Sequence, residues 1–175
     1  MLIHNYGLFW RRNDVFWGRP RVTGHLKGVP AKETSATPVD FREQAGVYVL
    51  YDDSFRLIYI GQAGAGNARL FNRLKNHKKD ALADRWTRFS WFGIRWVRDG
   101  GKLSKGAAQF TIKYKDLLNH IEAILISSTE PPHNRQAGRF GEKVEQYLQH
   151  RDDAALGPDT ETMLKQIWKE RNAPV

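Results

Sequence analysis

The sequence predicts an α+β protein: a small, mostly antiparallel three-stranded sheet flanked by helices, ordered β-β-α-β-α, with a β extension before this core and helices after it. Three observations carry that expectation. Residues 46–51 and 56–61 are runs rich in β-branched and aromatic residues, joined by the polar turn Asp52-Asp53-Ser54-Phe55, the pattern of a β-hairpin. Residues 88–97 are dense in aromatic residues and read as a third strand. Segments 68–83 and 108–128 repeat apolar residues at helical spacing: Leu70, Phe71, Leu74 and Leu82 in the first, Leu117, Leu118, Ile121, Ile124 and Leu125 in the second.

The elements follow in chain order. Residues 1–29 read as strand, turn and strand, with Leu8-Phe9-Trp10 and Val15-Phe16-Trp17-Gly18 on either side of Arg11-Arg12-Asn13-Asp14 and a third short strand near Val22. This extra hairpin is expected to cover a sheet edge, with its arginines on the wet face. Residues 30–40 are polar and proline-bearing, a linker or surface loop. Asn67 is placed to cap the first helix, and Pro131-Pro132 stops the second. Residues 139–150 are expected to form a further helix. So are residues 159–171, where Asp159 is the cap and Met163, Leu164, Ile167 and Trp168 make an apolar stripe. The division is 1–40 extension and linker, 41–136 core, and 137–175 C-terminal helical extension.

Composition narrows the function. The 175 residues carry a formal charge of +9, which favours a polyanionic partner, nucleic acid being the usual one. There is no cysteine, so disulfides and cysteine-zinc sites are excluded. No apolar run is long enough to span a membrane, and the first residues lack a secretory pattern. The expectation is a cytoplasmic protein, monomeric or homodimeric.

Two tracts, Gly46-Val47-Tyr48 and Tyr59-Ile60-Gly61, frame the hairpin. At the strand period of two, Tyr48 shares a face with Leu50 and Tyr59 with Leu57, so both phenols can converge. A basic helix follows with Arg69, Arg73, Lys75 and His77. Beyond the aromatic strand comes a helix with Glu122, and Asn134 stands twelve positions later. In this order the features resemble the GIY-YIG nuclease superfamily over roughly residues 44 to 136, Val47 standing where the name has isoleucine.

The resemblance implies a divalent-metal-dependent endonuclease that hydrolyses phosphodiester bonds, with DNA favoured over RNA, in a restriction-like, mobile-element or defence setting. The alternative is a non-catalytic nucleic-acid-binding module that keeps the fold. Hydrolysis needs an activated water, charge stabilisation on the phosphoryl oxygens and help for the leaving oxygen. One Mg²⁺ on a single carboxylate, Glu122, would serve the last two, and Mn²⁺ would also support activity. By pattern alone Glu122 divides evenly between such a ligand and an exposed helix residue. A phenol is a poor base at neutral pH unless cations favour its ionised form. Tyr48 is the first choice as base, with Tyr59 positioning water or phosphate; the order is reversible. Arg73 offers a bidentate fork to the scissile phosphate and ranks above Arg69, the stretch Gly64-Ala65-Gly66-Asn67 looking like an insertion that blurs the register. His77, at i+4 from Arg73, contacts phosphate or assists a tyrosine. Asn134 bonds phosphate or braces the site. Gly61, like Gly46, leaves room for a close approach, and Gly61, Gln62, Arg69 and Lys75 are the substrate-binding candidates. Gln62 stands where some branches of the family carry a lysine, which shifts the electrostatic burden to Arg73 and the metal.

Overall fold

A computed structural model describes residues 2–64, 68–105, 114–131, 138, 140–151 and 168. The strands are β1 (Asn5–Arg11), β2 (Lys27–Pro30), β3 (Val39–Asp40), β4 (Gly46–Tyr51), β5 (Leu57–Ala63), β6 (Arg88–Gly93), β7 (Val97–Arg98), β8 (Lys102–Leu103) and β9 (Glu145–Gln149); the helices are α1 (Leu70–Asn76) and α2 (Tyr114–Thr129). Seven strands form one mixed sheet in the order β3-β2-β9-β1-β6-β4-β5, and β7 and β8 pair separately.

This corrects the expected fold class. The small three-stranded sheet flanked by helices is replaced by a sheet-dominated protein with two helices among the described residues. The reason lies in the far edge of β6. Once β4 pairs with β5 on one side and β6 on the other, β6 would leave a row of unpaired backbone groups. The N-terminal strand fills that edge antiparallel, and β9 then adds to β1 in parallel and to β2 antiparallel. The expected N-terminal hairpin does not form. Residues 15–18 leave the sheet after a short 3₁₀ turn at Arg12–Asp14, and Val15 and Phe16 are buried outside any ladder. Nor is the segment 139–150 a helix where it is described. Val144, Tyr147 and Leu148 have helical spacing, but Glu145–Gln149 is a strand with Tyr147 buried and Leu148 exposed. Tertiary pairing overrides local preference here.

The sheet buries both faces. Tyr48, Leu50, Phe89 and Trp91 pack with Trp10, Phe41 and the α1 residues Leu70, Phe71 and Leu74. Val49, Tyr51 and Phe92 pack with Ile3, Phe140 and Ala123 of α2. The two helices therefore lie on opposite faces, as strand alternation requires. On α2 the buried residues are His120, Ala123 and Ser128, while Leu118, Ile121 and Leu125 of the expected apolar stripe are exposed. The expected helix 159–171 lies outside the described residues apart from Trp168, which is helical and exposed.

Candidate phosphodiester site

The site grows from the β4–β5 hairpin. Tyr48 of β4 stands directly opposite Gly61 of β5, and a Cβ at Gly61 would overlap the Tyr48 phenol. Glycine at 61 is thus what lets the Tyr48 ring lie flat across the hairpin. Gly46 has a different reason: its φ is +149°, and a Cβ there would collide with the Phe92 carbonyl. Both phenols reach the same face, with ring centroids 6.1 Å apart. Tyr48 is 0% exposed, whereas Tyr59 is half-buried. Exposure therefore puts Tyr59 at the surface of the site and Tyr48 behind it.

Helix α1 brings the other partners. Leu70, Phe71 and Leu74 seat it on the sheet. Its first turn is pinned where the Leu70 and Phe71 N–H groups donate to the Gln44 and Arg42 carbonyls. The Gln44 side chain is itself locked: Oε1 accepts from Ala45 and Arg95 N–H, and Nε2 donates to Asn5 Oδ1 and the Arg95 carbonyl. Trp17 stacks on Phe71 at 5.5 Å, which is where the N-terminal segment goes instead of forming a hairpin.

The helix ends at Asn76, well short of residue 83. Asp80 Oδ1 accepts from Leu82 N–H, a local turn that competes with helix, and Trp86 Nε1 donates to the His77 carbonyl. This early ending leaves the buried His77 ring bridging two groups. Nε2 lies 2.8 Å from Tyr48 Oη and Nδ1 lies 2.7 Å from Asp80 Oδ2. The ring is also 4.8 Å from Tyr59. Arg73 lies beside both phenols and acts on each electrostatically. Its Nε is buried with no hydrogen-bond partner among the described residues. Burial pushes the Tyr48 pKa up, and Arg73, by hydrogen bonding and charge, pulls against it without cancelling it. Asp80 is held below the usual carboxylate range, first by the Leu82 N–H and then by His77 and Arg73.

The remaining candidates sit elsewhere. Arg69 donates to the Gly64 carbonyl and faces the Glu43 carboxylate at 3.8 Å; of the two arginines, Arg73 is the one at the phenols. Lys75 is half-buried against Phe71. Together with Arg12 and Lys79 it surrounds Lys78, whose pKa is lowered first by burial and then by these three charges. Gln62 is exposed, and alternation from Gly61 turns it to the opposite face. Glu122 is exposed on α2, in an open groove with Leu118, Ile121 and Leu125, and the sheet stands between that helix and the phenols. The structure does not bring Glu122 to the cluster, and among the described residues no group of three or more histidine or acidic side chains is placed to hold a metal ion. A metal site shared by Glu122 and the phenols does not fit this arrangement. Asn134 lies outside the described residues.

Sequence reasoning missed Asp80 and Gln44. Asp80 had a local signal, standing three residues after His77 at a helix end; Gln44 had none, because its partners are far along the chain. Comparison with protein-family models, curated proteins and solved structures finds no match.

Proposed function

We propose that the chain is an endonuclease that hydrolyses phosphodiester bonds, acting on DNA in preference to RNA. The observation that carries this reading is the Arg73 guanidinium. A permanent cation that hydrogen-bonds the phenols, and whose buried Nε has no hydrogen-bond partner among the described residues, suits an anion at this site. A phosphodiester satisfies it, with the fork spanning two non-bridging oxygens. The cations around Lys78 supply the polyanion attraction, in keeping with the net charge of +9.

In this reading Tyr59 meets the attacking water, because it is the phenol at the surface. Tyr48, His77 and Asp80 lie behind as a hydrogen-bonded path for the proton. The water oxygen bonds to phosphorus as its proton moves towards the phenols, the phosphorus bond to the leaving sugar oxygen breaks, and that oxygen takes a proton from solvent water. Arg73 stabilises the charge on the phosphoryl oxygens. The features that resemble GIY-YIG nucleases support the same phosphodiester chemistry.

The test is nicking of supercoiled plasmid by the purified chain in Mg²⁺ or Mn²⁺ against EDTA, beside Tyr48→Phe, Arg73→Lys and Glu122→Gln. Nicking lost in Tyr48→Phe and Arg73→Lys supports the reading. A folded wild type that binds DNA without nicking it overturns the reading in favour of a binding module. Glu122→Gln reports on the other face: loss of nicking with the fold intact would mean that the carboxylate reaches the substrate around the β5 edge.

A further inference from the structure

We propose that Asp80 is a positioning residue that fixes the His77 ring with its proton on Nδ1, holding Nε2 as the acceptor for the Tyr48 hydroxyl. The catalytic consequence rests on the nuclease reading; the placement of the proton stands on geometry alone.

Both carboxylate oxygens of Asp80 are committed. Oδ1 accepts the Leu82 N–H at 2.8 Å, and Oδ2 lies 2.7 Å from His77 Nδ1. An ionised carboxylate only accepts hydrogen bonds, so a contact this short requires the proton on Nδ1. A neutral imidazole then presents its lone pair at Nε2, where Tyr48 Oη stands at 2.8 Å and must be the donor. The opposite tautomer would set two acceptors, Oδ2 and the bare Nδ1, face to face. Nothing else frees the ring to turn. Its backbone carbonyl is held by Trp86 Nε1, its N–H donates to the Arg73 carbonyl, and the ring is buried.

The Leu82 bond makes Asp80→Asn an informative substitution. An amide NH₂ cannot accept from the Leu82 N–H, so the amide oxygen must stay at the Oδ1 position. The NH₂ then falls where Oδ2 was and points a donor at His77 Nδ1. That forces the ring proton to Nε2, which now donates to Tyr48 Oη. The phenol can no longer pass its proton to His77, although size and shape are nearly unchanged. A like inversion is the accepted account of the aspartate-to-asparagine change in the serine-protease triad.

The experiment uses the ¹⁵N-labelled full chain at pH 8, above the ordinary histidine range of about 6.5. Two-bond ¹H–¹⁵N correlations of the imidazole rings report which nitrogen carries the proton, with the His77 signals identified by their loss in His77→Gln. The wild type is expected to show a protonated Nδ1 and a bare Nε2, and Asp80→Asn the reverse. Protonation at Nε2 in the wild type, alone or together with Nδ1, overturns the proposal. Should Asp80→Asn fail to fold, the wild-type spectrum decides by itself. In the plasmid assay Asp80→Asn should lower kcat by about 100-fold or more with KM little changed, the loss typical of a misplaced acid–base proton. A wild type with the expected tautomer but no nicking would sink the nuclease reading and leave the Asp80 placement standing.

Discussion

Substituting alanine for Gly61 tests the geometry of the site through stability alone. The backbone at this position is ordinary strand, so the substitution is not strained in itself. The new Cβ, however, would overlap the Tyr48 phenol and come within 2.7 Å of Tyr59 Cε1. Tyr48 cannot swing aside, being 0% exposed in a core closed by Leu74, Trp86 and Phe89. Overpacking of this kind costs about 1–3 kcal/mol. Pulling the phenol off His77 leaves a buried polar pair unmatched, at about 1–3 kcal/mol more. Replacing glycine gives back about 0.5–1 kcal/mol through the unfolded chain. The expected net loss is about 3 kcal/mol, or a fall of about 6–12 °C in Tm for a chain of this size. Urea unfolding followed by tryptophan fluorescence measures it. Ile60→Ala is the control, one residue away, 55% exposed and facing the other side; it should stay within about 0.5 kcal/mol of wild type. A Gly61→Ala loss no larger than that of the control would refute the packing of Tyr48 over the hairpin.

Arg73→Lys keeps the charge but loses the planar fork, and should lower kcat by about 10²–10³, read in the plasmid assay. Arg69→Ala removes only contacts to Gly64 and Glu43; nicking should fall less than about threefold and stability by at most about 1 kcal/mol. The pH dependence of unfolding has a definite sign. Burial raises the pKa values of Tyr6, Tyr48, Tyr51 and Tyr147, that of Tyr51 to about 12. The folded state holds these protons more tightly, so the stabilisation is complete below pH 10 and is lost as pH rises through the folded values. Denaturation at constant urea should steepen above pH 10, and Tyr51→Phe should flatten the slope between pH 10 and 12 by up to about 1.4 kcal/mol per unit. On the acid side, burial lowers the pKa values of His4 and His120; their contribution is present above pH 6.5 and lost below it, and the same titration reads it.

The hairpin was legible because its signal is local: two apolar runs, a polar turn, and alternation that sends Tyr48 and Tyr59 to one face. The positions of α1, β6 and α2 were legible for the same reason. What was hidden depends on pairing between distant segments. Nothing in residues 5–11 says that they will lie between residues 88–93 and 145–149, and the apolar spacing of Val144, Tyr147 and Leu148 points to a helix until an open strand edge is there to receive it. The orientation of α2 was hidden too. Three of its five stripe residues, Leu118, Ile121 and Leu125, are exposed, while Ile124 and the smaller Ala123 meet the sheet, a rotation that periodicity alone does not give. At the site, His77 was visible as a candidate, but its two bonds depend on α1 ending early.

The glycines that flank the tyrosines are explained by packing: Gly61 makes room for Tyr48 and Gly46 for the Phe92 carbonyl. They are no evidence of substrate access. What packing leaves unexplained is the Arg73 guanidinium. Buried polar atoms cost free energy unless paired, and Arg73 Nε has no hydrogen-bond partner among the described residues. Arg73→Met keeps the length and packing of the stem while removing the orphaned donor. Tyr48 keeps its bond to His77 in this variant and loses the one from Arg73, so the two changes offset. The expectation is that Arg73→Met unfolds within about 1 kcal/mol of wild type while nicking is lost. A loss of more than about 1 kcal/mol would place Arg73 among the structural residues, and the anion-binding reading would lose its principal support.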